Sequence, residues 1–124
     1  MKILIVDDEL HIRSLLEQTL EELEEQHGVT VLSAPSGEAG LAVIENERPA
    51  LVFLDIMMPG MSGYEVCRRV GERPELSGTR LILLTAKGQV TDREEGLASG
   101  AVDYMTKPFD PDRVVARARE ILGL

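Results

Sequence analysis

The sequence predicts an α/β fold, a doubly wound parallel sheet of five strands with helices on both faces. Three observations lead there. Five short β-type runs alternate with stretches of helical periodicity along the chain. Three of the runs, Ile3-Leu4-Ile5-Val6, Leu51-Val52-Phe53-Leu54 and Leu81-Ile82-Leu83-Leu84, are unbroken apolar segments, the pattern of strands covered on both sides. A length of 124 residues suits one core of this kind and is too short for two.

Lys2–Val6 is the first predicted strand. The helix after it places Ile12, Leu15, Leu16, Leu20 and Leu23 on one apolar face, with Glu17, Glu21, Glu22, Glu24 and Glu25 largely outside. Val29–Ala34 is a weaker strand, expected nearer a sheet edge. Ser36 opens a second helix that runs through Ala39, Ala42 and Val43. Leu51–Asp55 is the third strand, and Ser62 with Glu65 has the capping-box spacing for a third helix. Arg80–Thr85 is the fourth strand, and Thr91 with Glu94 repeats that spacing before a fourth helix. Ala101–Met105 is the fifth strand, again weak and expected near an edge. Asp110-Pro111 reads as an N-cap followed by proline at the first helical position, and the last helix turns Val114, Val115, Ala118, Ile121 and Leu122 inward. Parallel neighbours require right-handed crossovers.

Composition narrows the functional classes. The net charge is −9, which repels phosphate backbones and anionic lipid and argues against direct nucleic-acid or membrane binding. Aromatic residues make up 3% and tryptophan is absent, which removes the stacking platforms of single-strand binders. A 44% apolar content supports an aliphatic core. The single cysteine, Cys67, excludes an internal disulfide framework and a cysteine-rich zinc site, and is expected to pack inside the third helix. No apolar run is long enough to span a bilayer, and Asp7-Asp8-Glu9 interrupts the first strand too early for a signal peptide, so the expected location is the cytoplasm.

In doubly wound sheets, ligands bind beyond the carboxyl ends of the strands. There the first strand ends in Asp7-Asp8, the third in Asp55 and the fourth in Thr85, while Lys107 follows the fifth. If the first and third strands are neighbours about 4.8 Å apart, their terminal carboxylates converge. Two carboxylates ~5 Å apart repel by roughly 3 kcal/mol at an effective dielectric of about 20. Three together require a cation, and hard oxygen ligands without histidine or cysteine point to Mg²⁺ or a similar ion. Asp8 alone also fits a turn or N-cap role. An acid cluster with a hydroxyl and an ammonium opposite suits phosphoryl chemistry, with a carboxylate able to act as nucleophile. A P-loop is absent, and His11 and His27 read as surface residues. Met57, Met58 and Met61 are expected to pack or line the adjoining loop.

With these residues in place, the chain closely resembles the receiver domain of two-component response regulators. The matching segments are Ile5-Val6-Asp7-Asp8-Glu9, Leu54 through Gly63, Leu84-Thr85-Ala86 and Gly100 through Phe109, in order and at family spacing. The resemblance implies a flavodoxin-like sheet in the order 2-1-3-4-5. It implies that Asp55 is the phosphoacceptor, taking a phosphoryl group from a sensor histidine kinase or phosphotransfer protein. Asp8 and Asp55 would hold Mg²⁺ with the backbone carbonyl of Met57, Asp7 acting mainly through a water. Thr85 and Lys107 would contact phosphoryl oxygens, a cis Lys107-Pro108 bond would aim the lysine inward, and Tyr104 would be the switch aromatic that follows Thr85. The output surface would comprise the helix opened at Thr91, the fifth strand and the last helix, acting on a downstream protein or output domain.

The match is looser elsewhere. Met57 and Lys87, which would flank the path of attacking water, resemble the winged-helix DNA-binding subfamily. Asp103 and Arg117 fit one of that subfamily's cross-dimer ion pairs, but Arg93 would face Arg113 and Glu94 takes an apolar position, so both a monomer and a phosphorylation-dependent homodimer remain open. Residues 1–124 are expected to be one receiver domain with no output domain in this chain, whether stand-alone or excised from a DNA-binding regulator. A haloacid-dehalogenase-type phosphatase also phosphorylates an aspartate after a strand, but typically carries a second aspartate where this chain has Met57; no separate enzymatic turnover is expected. A flavin carrier on the same fold would want a hydroxyl- and amide-rich first loop, and here that loop is acidic.

Overall fold

Side-chain alternation along the central strands builds two apolar layers around one sheet. The computed structural model of the chain describes residues 1–86 and 100–124. Its elements are β1 (Lys2–Val6), α1 (Leu10–Thr19), α2 (Glu21–His27), β2 (Thr30–Ala34), α3 (Gly37–Glu47), β3 (Leu51–Asp55), α4 (Gly63–Gly71), a 3₁₀ turn (Pro74–Leu76), β4 (Arg80–Ala86), β5 (Asp103–Lys107) and α5 (Pro111–Leu122). The sheet is parallel in the order β2-β1-β3-β4-β5, so the two weaker runs are the edges. Leu4, Val6, Val52, Leu54, Leu81 and Leu83 join residues of α3 and α4 in one layer. Ile3, Ile5, Leu51, Phe53, Ile82 and Leu84 join α1, α2 and α5 in the other.

The helix starts follow the chemistry of their first residues. The Ser36 hydroxyl accepts from the Ala39 amide at 3.1 Å, and Asp110 accepts from the Asp112 amide at 3.0 Å ahead of Pro111. The Ser62 hydroxyl accepts from the Glu65 amide at 3.3 Å, the first half of the expected capping box. The Glu65 carboxylate turns outward instead, pairing with Arg69 one turn on at 3.2 Å.

Several expectations are revised. The single helix expected after β1 is two, α1 and α2, meeting at Leu20. The Thr19 hydroxyl donates back to the Leu15 carbonyl at 2.7 Å, a bond that bends helices, and the Leu23 amide takes the Leu20 carbonyl in a tighter turn at 3.0 Å. Leu16, Leu20 and Leu23 stay buried across the bend, whereas Leu15 is 42% exposed. In α3 the inward face is Gly37, Gly40, Leu41 and Ile44, while Ala42 is exposed. A Cβ on Gly40 would lie 2.7 Å from a Val6 methyl, so the helix rides on the sheet along a residue that carries no apolar signal in the sequence. The strand expected at Ala101–Met105 begins two residues later, because pairing starts with Ile82 opposite Asp103 and ends with Ala86 opposite Lys107. Gly100, at φ +107, makes the turn before it. The helix expected from Thr91 and Glu94, and the side chains of Lys87 and Arg93, lie outside the described residues.

The inward face of α3 makes a direct prediction. Ile44→Ala is expected to lower the free energy of unfolding by about 2–5 kcal/mol, whereas Ala42→Ser should change it by less than about 0.5 kcal/mol. Urea titrations of the two variants, read at the midpoint with an unchanged slope, separate the buried side of α3 from its exposed side.

Candidate functional site

Strand register brings the acidic residues together. Val6 lies opposite Leu54 in the β1–β3 ladder, so Asp7 and Asp55 leave adjacent buried strands at the same level. Asp8 follows, and one carboxylate oxygen from each of Asp7, Asp8 and Asp55 falls within 4.8 Å of the others. Among the described residues this is the grouping of acidic, histidine or cysteine side chains able to hold a metal ion. Asp7 is 0% and Asp55 5% exposed, while Asp8 faces solvent. The cluster is thus a buried pair with a third member open to solvent.

β5 supplies the countercharge. Lys107 ends that strand, one position beyond the Thr85–Thr106 pair. Its ammonium donates to Asp7 Oδ2 at 2.9 Å and lies 3.3 Å from Asp55 Oδ1. The Lys107-Pro108 peptide is cis. Thr85 is 3% exposed at the end of β4, one residue beyond Leu84, which pairs with Asp55. Tyr104 is half-buried in β5 and packs against the α3–α4 layer.

The surroundings hold the acids in place. The Glu9 amide donates to Asp7 Oδ1 at 2.9 Å, and the Arg13 guanidinium donates to the Asp7 carbonyl at 2.7 Å. The Met57 amide reaches Asp55 Oδ1 at 3.4 Å. The Met57 side chain is 64% exposed, whereas Ile56 and Met58 on either side are buried in the core. Gly63 allows α4 to start against the end of β3, since a Cβ there would lie 2.4 Å from the Asp55 carbonyl oxygen. Arg13 and Glu38, which anchors the Met61 amide at 2.9 Å, have no motif in the sequence to mark them; they reach the site only through the fold. His11 sits on the surface beside Glu9, and His27 meets Arg119 at 3.1 Å; neither belongs to the acidic grouping. Cys67 is buried in the core.

The electrostatics follow from this crowding. Burial, reinforced by the charge of Asp7, raises the Asp55 carboxyl from 3.8 to about 6, against the pull of Lys107. Burial works to lower the Lys107 ammonium, but the Asp7 hydrogen bond and the charges of Asp55 and Asp7 leave it above its ordinary value. Three carboxylates and one ammonium leave an excess of negative charge, and the donors are all hard oxygens. That set fits a hard divalent cation such as Mg²⁺ better than a soft metal.

Comparison with known proteins finds matches over nearly the whole chain. The family model of the response regulator receiver domain matches residues 3–119. A probable transcriptional regulator, ycf27, of Galdieria sulphuraria is 46% identical over 121 residues, covering 98% of this chain and 45% of the relative. The alkaline phosphatase synthesis transcriptional regulatory protein PhoP of Bacillus subtilis is 43% identical over 98% of this chain and 48% of its own length. The chain thus spans about half the length of these curated relatives. The crystal structure of a putative response regulator from Chloroflexus aurantiacus superposes with a TM-score of 0.89 at 35% identity, covering 99% of this chain and 98% of the other. Among the described residues, no helix is long and apolar enough to cross a membrane.

The raised Asp55 value has a thermodynamic consequence in metal-free buffer. Between pH 3.8 and about 6 the folded chain binds more protons at Asp55 than the unfolded chain, so its contribution to stability falls as pH rises through that window. Asp55→Asn is therefore expected to match the wild type near pH 4 and to exceed it above pH 6 by about 1–2 kcal/mol, the full linkage value being reduced by solvent screening. Urea unfolding with EDTA across this range checks it; a difference that does not change with pH contradicts the assignment.

Proposed function

Because the chain belongs to the response regulator receiver domain family, we propose that it works as a phosphoacceptor switch with Asp55 as the acceptor. The observation that supports this reading is the placement of the Lys107 ammonium 3.3 Å from Asp55, inside a cluster of three carboxylates at the carboxyl end of the sheet. An Asp55 oxygen attacks the phosphorus of a phosphohistidine on a kinase or phosphotransfer partner. The P–N bond breaks with its electron pair passing to the imidazole, a P–O bond forms, and an acyl phosphate results. Asp8, Asp55 and the Met57 carbonyl, with Asp7 acting through a water, would hold Mg²⁺, which would supply neutralisation of phosphoryl charge. Lys107 contacts one phosphoryl oxygen and the Thr85 hydroxyl donates to another.

The change then passes outward along β4 and β5. Phosphoryl oxygens favour the arrangement in which Thr85 is drawn toward them and Tyr104, on the neighbouring strand, follows. The surface that reads this out includes β5 and α5 and acts on a partner or output region. The relatives named above are transcriptional regulators about twice as long, which favours a transcriptional output. Asp103 accepts from Arg117 within one chain at 2.9 Å, and a phosphorylation-dependent homodimer would have to exchange that pair for one across its interface. Residues 1–124 act as one receiver domain in the cytoplasm, and no separate substrate is turned over.

Acetyl phosphate with Mg²⁺ is expected to add one phosphate-sized increment to the intact mass of the protein. Asp55→Asn should abolish the gain, and EDTA should suppress it. A fully modified Asp55→Asn protein would sink the assignment, and steady phosphate release from generic phosphate esters would revive the phosphatase alternative.

A further inference from the structure

The segment between β3 and α4 leaves the site at Met57 and returns at Ser62, and a side chain from another element holds it. Glu38, in the first turn of α3, accepts the Met61 amide on Oε1 at 2.9 Å. Gly60, one residue before, takes φ +79, and a Cβ there would lie 2.7 Å from that same oxygen. Backbone and carboxylate are therefore fitted closely to each other. The Glu38 carboxyl is held below its ordinary range by its own amide, by the Met61 amide and by the Ser36 hydroxyl. Ser36 is also the N-cap of α3, so helix start and loop anchor form one unit. On the site side the segment is secured by a longer bond, from the Met57 amide to Asp55 at 3.4 Å. Met57 thus stands between the reacting aspartate and an anchor borrowed from α3.

We propose that Glu38 is a positioning residue for the acidic site: by binding the Met61 amide it fixes the 57–61 backbone, and with it the Met57 carbonyl that would complete the shell of Mg²⁺. This deepens the phosphoacceptor reading and rests on it. The inference requires an acceptor at Glu38 Oε1 rather than a charge. Glutamine preserves that acceptor, while alanine removes it and leaves the Met61 amide to solvent.

Two measurements on the full chain test it. In metal-free buffer, hydrogen exchange at the Met61 amide should be about tenfold or more faster in Glu38→Ala than in wild type, and close to wild type in Glu38→Gln. In Mg²⁺ titrations followed by backbone amide shifts, Glu38→Ala should bind about tenfold more weakly, and Glu38→Gln within about twofold of wild type. Unchanged Met61 exchange in Glu38→Ala overturns the proposal, as does an unchanged Mg²⁺ affinity. Equal loss in the glutamine and alanine variants overturns it as well, since charge rather than the hydrogen bond would then be at work. Failure of the wild type to bind Mg²⁺ would instead refute the metal reading of the acidic cluster, and the exchange data would still report on the loop anchor.

Discussion

Everything at the working end of this molecule depends on holding like charges together. Asp7 and Asp55 leave adjacent strands at one level because Val6 pairs with Leu54, and neither carboxylate can retreat into solvent. Such a pair repels strongly in a partly buried setting. The Lys107 ammonium, brought in from the edge strand to 2.9 and 3.3 Å, offsets part of that repulsion. The remainder leaves a raised Asp55 and, with the exposed Asp8, an acidic cluster that favours a cation.

The scaffold around the acids is arranged so that they cannot simply relax apart. Asp7 is held through both carboxylate oxygens and its carbonyl, by Lys107, the Glu9 amide and Arg13. Asp55 ends a strand whose residues are all buried, between two apolar layers. Displacing either acid would disturb close-packed aliphatic side chains, whose rearrangement is costly. Rigidity here serves chemistry, because an acceptor and its counterions act only when already placed. Thr85 and Tyr104 lie on the two strands farthest along from β1, where a change at the acids can reach an edge of the sheet.

The parts of the fold that periodicity missed share a cause. Leu15 lies on the apolar stripe of the sequence yet is exposed, because the face that meets the sheet is the narrower one of Ile12, Leu16, Leu20 and Leu23. In α3 the contact with the sheet is made by Gly40 against Val6, and a glycine leaves no mark in a hydrophobic pattern. β5 was displaced by two residues because its limits come from pairing with β4, not from its own apolar content. Glu38 and Arg13 look like ordinary surface charges in the sequence. Their partners are backbone groups, and a backbone amide or carbonyl has no side-chain signature to search for.

By itself the sequence determined the layered α/β architecture, the strands that are buried and the residues Asp7, Asp8, Asp55, Thr85 and Lys107 at their carboxyl ends. These are local facts: apolar run length, capping chemistry and the polar residue that ends each run. Only the tertiary structure decided how far apart the acids stand, which of them Lys107 touches, how far Asp55 is raised and which distant side chain anchors the loop beside it. Those quantities depend on strand register and helix placement, which bring together residues separated by up to a hundred positions in the chain, and interaction energy follows distance in space rather than in sequence.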